Sequence, residues 1–470
     1  MARLEAEQAA TITDGCWRGG HPSGPLTSFS IDTRTLQPGE TFVALKTDRR
    51  DGHAYLEEAA RRGALAALVQ TPFEGIELPQ MVVDDTWRAL QALGGLWRQH
   101  FQGTVAGITG SYGKTTVKEF LGRVLGSHWY RTPGNLNNRL GVPLCLLELD
   151  RRKHAGALIE AGISGPGEME VLAGMMDPDL AIVTAVGPAH LEGLGSLEGV
   201  ARAKAQLARA VRPGGKAVFP RSLLQYEAFR DLPEGVTAHA VTVFDERAGG
   251  REGGFPVEDG CLEADYTWKP DEIDEGTGRL VIPGQEDKGL YFAAGSPGMI
   301  SNLALVVHSA RLLGVPMETL QSRIDGWRPY HQRGEIYADG PRRFFADCYN
   351  ASPGSMIDSL RRFQNLFAGE PKFLVIGSMD ELGAESEYWH RWTAREFALE
   401  KGAIVFLKGR GKVWMKEELE SSGHPAGHII LGESVEDARR RLQAFEGAVF
   451  LKGSRSHGLE SLIPEDAERC

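Results

Sequence analysis

Apolar positions along this chain alternate between short unbroken runs and runs spaced every three or four residues, and that alternation lays out the fold. Thr41–Leu45, Ala64–Val69 and Met81–Val83 read as strands separated by helix-like segments. The first hundred residues therefore form a small α/β unit that ends near a helix over Thr86–His100. A second unit opens on the buried-strand run Thr104–Thr109. A glycine-rich turn follows at once, and then Val117, Phe120, Leu121, Val124 and Leu125 recur at helical spacing. Ala157–Ala161, Asp179–Val186 and Ala217–Phe219 supply further strands. Strands alternating with helices predict a mostly parallel sheet covered on both faces.

Periodicity is weak across the Gly-rich, acidic stretch Gly249–Gly289, where irregular or β structure is expected. Helical spacing returns over Asn302–Leu313. A third α/β unit starts near Tyr330, with strands at Phe344–Cys348, Phe373–Ile376, Ile404–Leu407, Ile429–Leu431 and Val449–Leu451. Met356, Leu360, Phe363 and Phe367 mark the first helix between them. No internal repeat is evident. The expected class is α/β in three domains, divided as 1–98, 99–329 and 330–470, in keeping with domains of roughly 150 residues.

Composition narrows the class of partner. At 42% hydrophobic and 24% charged residues, without a low-complexity tract, the chain is globular rather than disordered. A formal net charge of −11 argues against nucleic acid as a partner. An anionic small molecule stays possible, because backbone amides and a few Lys or Arg can hold phosphates locally. Five cysteines, scattered and without a C-x-x-C pair, fit reduced thiols. The opening residues lack the apolar core of a signal peptide, and no stretch approaches the roughly 20 apolar residues of a membrane span. A cytoplasmic protein without stable membrane association is expected.

The strongest local signal is Gly107-Ile-Thr-Gly-Ser-Tyr-Gly113-Lys114-Thr115-Thr116. Its glycines let backbone amides turn toward one point, and the following helix adds its positive end. Lys114 can reach β- and γ-phosphate oxygens, and Thr115 offers a hydroxyl to Mg²⁺. The P-loop pattern G-x-x-x-x-G-K-[ST] is not met in full, because Ile108 stands at its first glycine; Gly107 and Gly110 supply the flexibility instead. The plainer alternative is a glycine turn with a solvated lysine, which the strand before and the helix after argue against.

Glu160 ends the apolar strand Ala157-Leu-Ile-Glu, on the side where ligands bind open α/β sheets, though a surface acid fits the same pattern. His190 follows another strand; alone it reads as a structural hydrogen-bonder, and beside Glu160 as a second Mg²⁺ ligand. Mg²⁺ takes few protein ligands and completes its shell with substrate oxygens and water. Lys204 lies in a helix-like segment and, by its setting, reads as a solvated lysine.

Several segments together resemble the Mur ligases, in the branch that adds a dipeptide. They are Ser30–Arg34, Pro38–Leu45, Asp51–His53, Gly107–Thr116, Thr132–Pro143, Gly167–Glu168, His190–Ala201, Ala203–Lys204, Asp347–Met356, Glu381–Gly383 and Lys452–Arg455. Their collinear order spans nearly the whole chain, and the fourteen residues from His190 to Lys204 match the family's interval between its metal histidine and a carbamylated lysine.

The resemblance implies a small UDP-sugar-binding N-terminal domain, a central P-loop ATPase-like domain and a C-terminal Rossmann-like domain. It implies ATP and Mg²⁺ as cofactors, UDP-N-acetylmuramoyl-tripeptide and D-alanyl-D-alanine as substrates, and a monomer. The reaction would phosphorylate the tripeptide's terminal carboxylate, and the dipeptide amine would then displace phosphate. Gly110, Ser111, Gly113, Lys114, Thr115 and Thr116 would hold ATP phosphates, with Asn302 at adenine, Arg333 at a phosphate and Asp347 at the ribose. Thr115, Glu160, His190 and carbamylated Lys204 would bind Mg²⁺, and Lys114, Lys204, His190 and Glu160 would form the catalytic set. Asp32, Thr33 and Arg34 would contact the UDP-sugar, and Asn135, Asn137, Asn138 and Asn350 the peptide end.

Four positions depart from the family pattern: Ser352 for Asn, Ser378 for Asp, Ala346 for an acid, and Gly298 where a histidine aligns. Two alternatives therefore stand beside the expected activity. One is a related ligase with another amino-acid donor, and the other a catalytically silent paralogue that binds nucleotide or UDP-sugar.

Overall fold

The computed structural model describes residues 4–246, 261–271 and 277–470. Within it the chain builds three sheets in sequence order. In the first, Phe29–Ser30, Thr41–Val43, Ala66–Val69 and Gln80–Val82 run parallel, and Cys16–Arg18 closes the edge antiparallel to Gln80–Val82. Among the described residues the central sheet has nine strands. Trp129–Arg131, Gly156–Glu160, Thr104–Thr109, Leu180–Val183, Lys216–Pro220, Thr237–Asp245 and Cys261–Pro270 lie side by side and parallel. Thr277–Ile282 and Gln285–Ala293 then return as an antiparallel meander.

The third sheet sets Ile429–Gly432, Ile404–Lys408, Lys372–Gly377, Gly447–Lys452 and Arg342–Ala346 parallel, with Glu335–Asp339 and Glu468–Arg469 antiparallel at one edge. These are three α/β domains, as expected. The stretch expected to be irregular or β is strand where it is described, apart from Asp271 and the turn of Pro283 and Gly284; residues 249–260 and 272–276 lie outside the described residues.

Element ends shift by a few residues from the sequence expectation. The run at Asp179–Val186 yields a strand only over Leu180–Val183, and the helix expected from Asn302 already starts at Pro297, behind Ser296. Ser296 caps that start by accepting from Met299 N, and proline at the first position has no amide to satisfy there.

The first and central sheets share one core. Helix Thr86–His100 starts on the Asp85 carboxylate, which accepts from Trp87 N at 2.8 Å and Arg88 N at 3.2 Å. Its buried stripe Ala89, Leu90, Leu93 and Trp97 packs with Leu4, Val43 and Leu68 on one side and Val105, Ala157 and Leu172 on the other. Gly94 lets it approach helix Gly141–Leu147, since a Cβ there would lie 2.8 Å from Pro143 Cβ. Arg98, fully buried, ties this helix to the central domain by donating to Met176 O at 2.8 Å and pairing with Asp179 at 2.8 Å.

The opposite face of the central sheet carries Val117, Phe120, Leu121 and Val124 against Leu303, Ala304 and Val307. Phe120 stacks on Phe292 and Trp327 with centroids 5.3 and 4.9 Å away. The core under the third sheet takes in Leu191 and Val200 from the central domain. Burying one leucine across such a seam is worth about 1.5–3 kcal/mol. Among the described residues no helix is long and apolar enough to cross a membrane.

Candidate active site

The carboxyl ends of Thr104–Thr109, Gly156–Glu160 and Leu180–Val183 open toward the third domain, and between them lies a cleft of about 860 Å³. Its floor is the glycine loop. Ser111 N donates to Ala185 O at 2.9 Å, and Ser111 Oγ and Gly187 exchange two hydrogen bonds of 2.9 Å. Thr184 Oγ1 donates to the Tyr112 carbonyl. The loop is thereby stapled to the end of the neighbouring strand. Gly113 sits at φ +84°, and a Cβ there would lie 2.8 Å from Asn302 Oδ1, so the loop turns where a side chain would both strain and collide.

Helix Lys114–Leu125 starts on that turn and aims its first amides at the cleft. Lys114 Nζ donates to Gly110 O at 2.6 Å, curled back over the loop on the cleft wall. Burial pulls its ammonium below the ordinary lysine value, while Glu160 acts the other way.

Glu160 is almost wholly buried at the strand's end and is ringed by donors. Thr115 Oγ1 reaches its two oxygens at 3.1 and 2.9 Å, Asn137 Nδ2 donates to Oε1 at 2.9 Å, and Lys118 Nζ stands 3.4 Å from Oε2. Burial pushes its carboxyl up, but the charges of Lys118, Lys114 and Arg333 more than reverse this and hold it below the usual carboxylate range. The surface-acid reading of Glu160 is thus excluded. His190 lies on the same cleft, in the left-handed region at φ +57°, with Nδ1 against the Glu381 carboxylate of the third domain. That contact holds the Glu381 carboxyl below its ordinary value.

Ser111, Gly113, Lys114, Thr115, Thr116, Asn137, Asn138, Glu160, His190, Asn302, Arg333, Asp347 and Asn350 all line this one cleft, and Gly110 supports it from the loop. Asp347 pairs with Lys452 at 2.8 Å, and the Arg333 guanidinium lies 4.3 Å over the Tyr349 ring. Asn135 is exposed and stands outside the lining. Asp32, Thr33 and Arg34 also lie away from it, in the first domain, where Arg34 Nε and Nη2 grip the Asp32 carboxylate at 2.9 and 2.6 Å.

Lys204 corrects the expectation of a solvated lysine. It sits on the buried face of helix Leu197–Arg209, 1% exposed, and among the described residues no carboxylate pairs with it. Burial, with Lys114 nearby, pulls its amine far below the ordinary lysine value. The polar sequence Ala-Arg-Ala-Lys-Ala-Gln gave no warning, because helical phase alone cannot say which side meets the sheet.

Sequence reasoning also missed Lys118, fully buried, whose Nζ donates to Thr132 O at 2.7 Å while facing Glu160. Its one signal is position: a lysine among Val117, Leu121 and Leu125 lies within an apolar stripe. Among the described residues no three His, Cys, Asp or Glu side chains form a metal cluster. A hydroxyl and a carboxylate in contact, with an imidazole on the same cleft, still suit Mg²⁺, which needs few protein ligands.

A glycine loop facing a buried carboxylate, in a cleft lined also by a third α/β domain, suits an enzyme that uses a nucleotide's phosphates, and the relatives set that enzyme among the ATP-dependent ligases. The Mur ligase middle-domain profile matches residues 108–250. The UDP-N-acetylmuramoyl-tripeptide–D-alanyl-D-alanine ligase of Bacillus subtilis (strain 168) is 30% identical over 451 residues, covering 93% of this chain and 92% of that protein. The enzyme of the same description from Escherichia coli (strain K12) is 30% identical over 475 residues, 98% of each. Among solved structures, a crystal structure of MurF from Acinetobacter baumannii superposes with a TM-score of 0.82 at 26% identity over 98% of both chains. MurF ligase from Thermotoga maritima in complex with ADP gives 0.74 at 25% identity, over 93% of this chain and 96% of that one. The chain belongs to the Mur ligase family, on its tripeptide–D-alanyl-D-alanine branch.

Proposed function

We propose that this protein uses ATP to join D-alanyl-D-alanine to UDP-N-acetylmuramoyl-tripeptide, in peptidoglycan precursor synthesis. The supporting observation is that Lys114, Thr115, Glu160 and His190 line one cleft with Asp347, Asn350 and Glu381 from the third domain. Residues 1–98 hold the UDP-sugar, 99–329 hold ATP, and 330–470 close over both as a monomeric enzyme. Asp32, Thr33 and Arg34 take the UDP-sugar, and Asn135, Asn137, Asn138 and Asn350 the peptide end.

A carboxylate is a poor electrophile, so the tripeptide's terminal oxygen first attacks the γ-phosphorus of ATP. The bond to the β-phosphate oxygen breaks, leaving an acyl phosphate and ADP. The dipeptide amine then attacks the acyl carbon, loses a proton, and phosphate departs. Lys114 and the amides of Gly110 to Thr116 neutralise charge on the transferring phosphoryl group, where positioning and electrostatics dominate the rate. Asn302 faces adenine, Arg333 a phosphate and Asp347 the ribose.

Thr115, Glu160, His190 and Lys204 as its carbamate would hold Mg²⁺, which supplies charge neutralisation to the phosphate oxygens. Burial disfavours the Lys204 ammonium relative to the free amine, the species that adds CO₂, so its setting supports that modification. The third domain shields the acyl phosphate from water.

The test is phosphate release across a panel of acceptors and donors. Release is expected only when UDP-N-acetylmuramoyl-tripeptide and D-alanyl-D-alanine are both present. Turnover with a single amino acid as donor, or tight UDP-sugar binding without any product, overturns the assignment.

A further inference from the structure

Helix Pro353–Leu366 of the third domain presents Gly354, Asp358, Arg362 and Asn365 as one stripe toward the central domain. Two parts of the nucleotide cleft meet that stripe. At one end, Tyr112 of the glycine loop packs so closely that a Cβ on Gly354 would lie 2.8 Å from its ring. Further along, the stripe grips the start of helix Pro297–Leu312, the helix that carries Asn302. Asp358 Oδ1 accepts from Gly298 N at 2.7 Å, Oδ2 accepts from Ser296 Oγ at 2.9 Å, and Asn365 Nδ2 donates to Gly295 O at 3.0 Å. A residue of one domain thus satisfies the exposed amide end of a helix in the other. A Cβ on Gly298 would stand 2.5 Å from Asp358 Oδ2, so the carboxylate occupies the space that any side chain at 298 would need.

We propose that Asp358 is a positioning residue that couples docking of the third domain to the seating of the nucleotide, by capping the Asn302 helix across the domain seam. Gly298 is its required counterpart, which gives the missing side chain at that position a physical reason. This claim rests on Asn302 and the glycine loop being the nucleotide seat.

The experiment compares Asp358→Ala, Gly298→Ala and the double variant. Affinity for a non-hydrolysable ATP analogue with Mg²⁺ is read by calorimetry, and the radius of gyration without ligand by small-angle X-ray scattering. Asp358→Ala is expected to weaken nucleotide binding roughly fivefold, the loss typical of a helix cap. Gly298→Ala is expected to weaken it on the order of tenfold or more and to enlarge the particle, because the new methyl displaces the carboxylate. With Asp358→Ala already present, Gly298→Ala is expected to cost about twofold or less and to leave the radius unchanged. Asp358→Asn keeps the shape and one acceptor, and is expected to bind within about threefold of the parent, which guards against a misfolded alanine variant.

An equal penalty for Gly298→Ala in both backgrounds refutes the coupling, as does unaltered binding in both single variants. If the parent protein binds no ATP analogue, the functional reading fails, while the scattering series still decides whether Asp358 and Gly298 govern docking.

Discussion

Replacing Lys118 by methionine tests whether Glu160 is held as an anion by the protein itself. The substitution keeps the side chain's length and deletes its ammonium, which stands 3.4 Å from Glu160, 3.0 Å from Glu119 and 2.7 Å from Thr132 O. Both Lys118 and Glu160 are buried to within about a hundredth of their surface. Breaking such a pair by removing one partner typically destabilises by about 3–5 kcal/mol. At 2–4 °C per kcal/mol for a unit of 150–250 residues, the melting temperature near neutral pH falls by roughly 6–20 °C.

The pH dependence is the sharper signature. In the parent, the Glu160 carboxyl lies below its unfolded value of about 4.5, so its contribution is complete above pH 4.5 and fades as pH falls through the folded value. Without Lys118 the largest charge opposing burial is gone, and the folded value rises toward or past the unfolded one. The variant matches the parent in its Glu160 contribution in acid, where the carboxyl is protonated folded and unfolded, and falls increasingly short of it as pH rises. Thermal unfolding of both proteins, metal-free in chelator, from pH 4 to 8 should give curves that diverge with pH. Parallel curves, or a loss under about 2 °C at pH 7.5, refute the reasoning.

Lys114→Ala should lower turnover on the order of 10²-fold or more while the circular dichroism spectrum persists, and near-parental activity contradicts its role at the phosphates. For Lys204, a crystal structure with nucleotide and Mg²⁺ should carry carbamate density on Nζ, and a plain amine remote from the metal in that complex counts against it.

How much of this was legible in the sequence differs between the strands and the site. The run Thr104–Thr109 and helix Thr86–His100 are read to the residue, because a buried strand and a one-sided helix each carry their own periodicity. The short edge strands Cys16–Arg18, Phe29–Ser30 and Glu468–Arg469 leave no such trace, since their pairing comes from neighbours distant in the chain. Glycine turn, lysine and threonine are local, so the phosphate loop announced itself. Glu160 and His190 were legible only as acid and imidazole at strand ends.

The chain's own order of residues determined the three α/β units, the phosphate loop and the collinear motifs that mark the family, because each depends on neighbours within a turn or a strand. Tertiary structure alone decided that Lys204 is buried, that Lys118 backs Glu160, that Glu381 reaches His190, and that Asp358 needs a glycine opposite it. Those facts depend on which helix face meets the sheet and how two domains seat against each other. Packing over the whole molecule sets both, and no local window of sequence contains it.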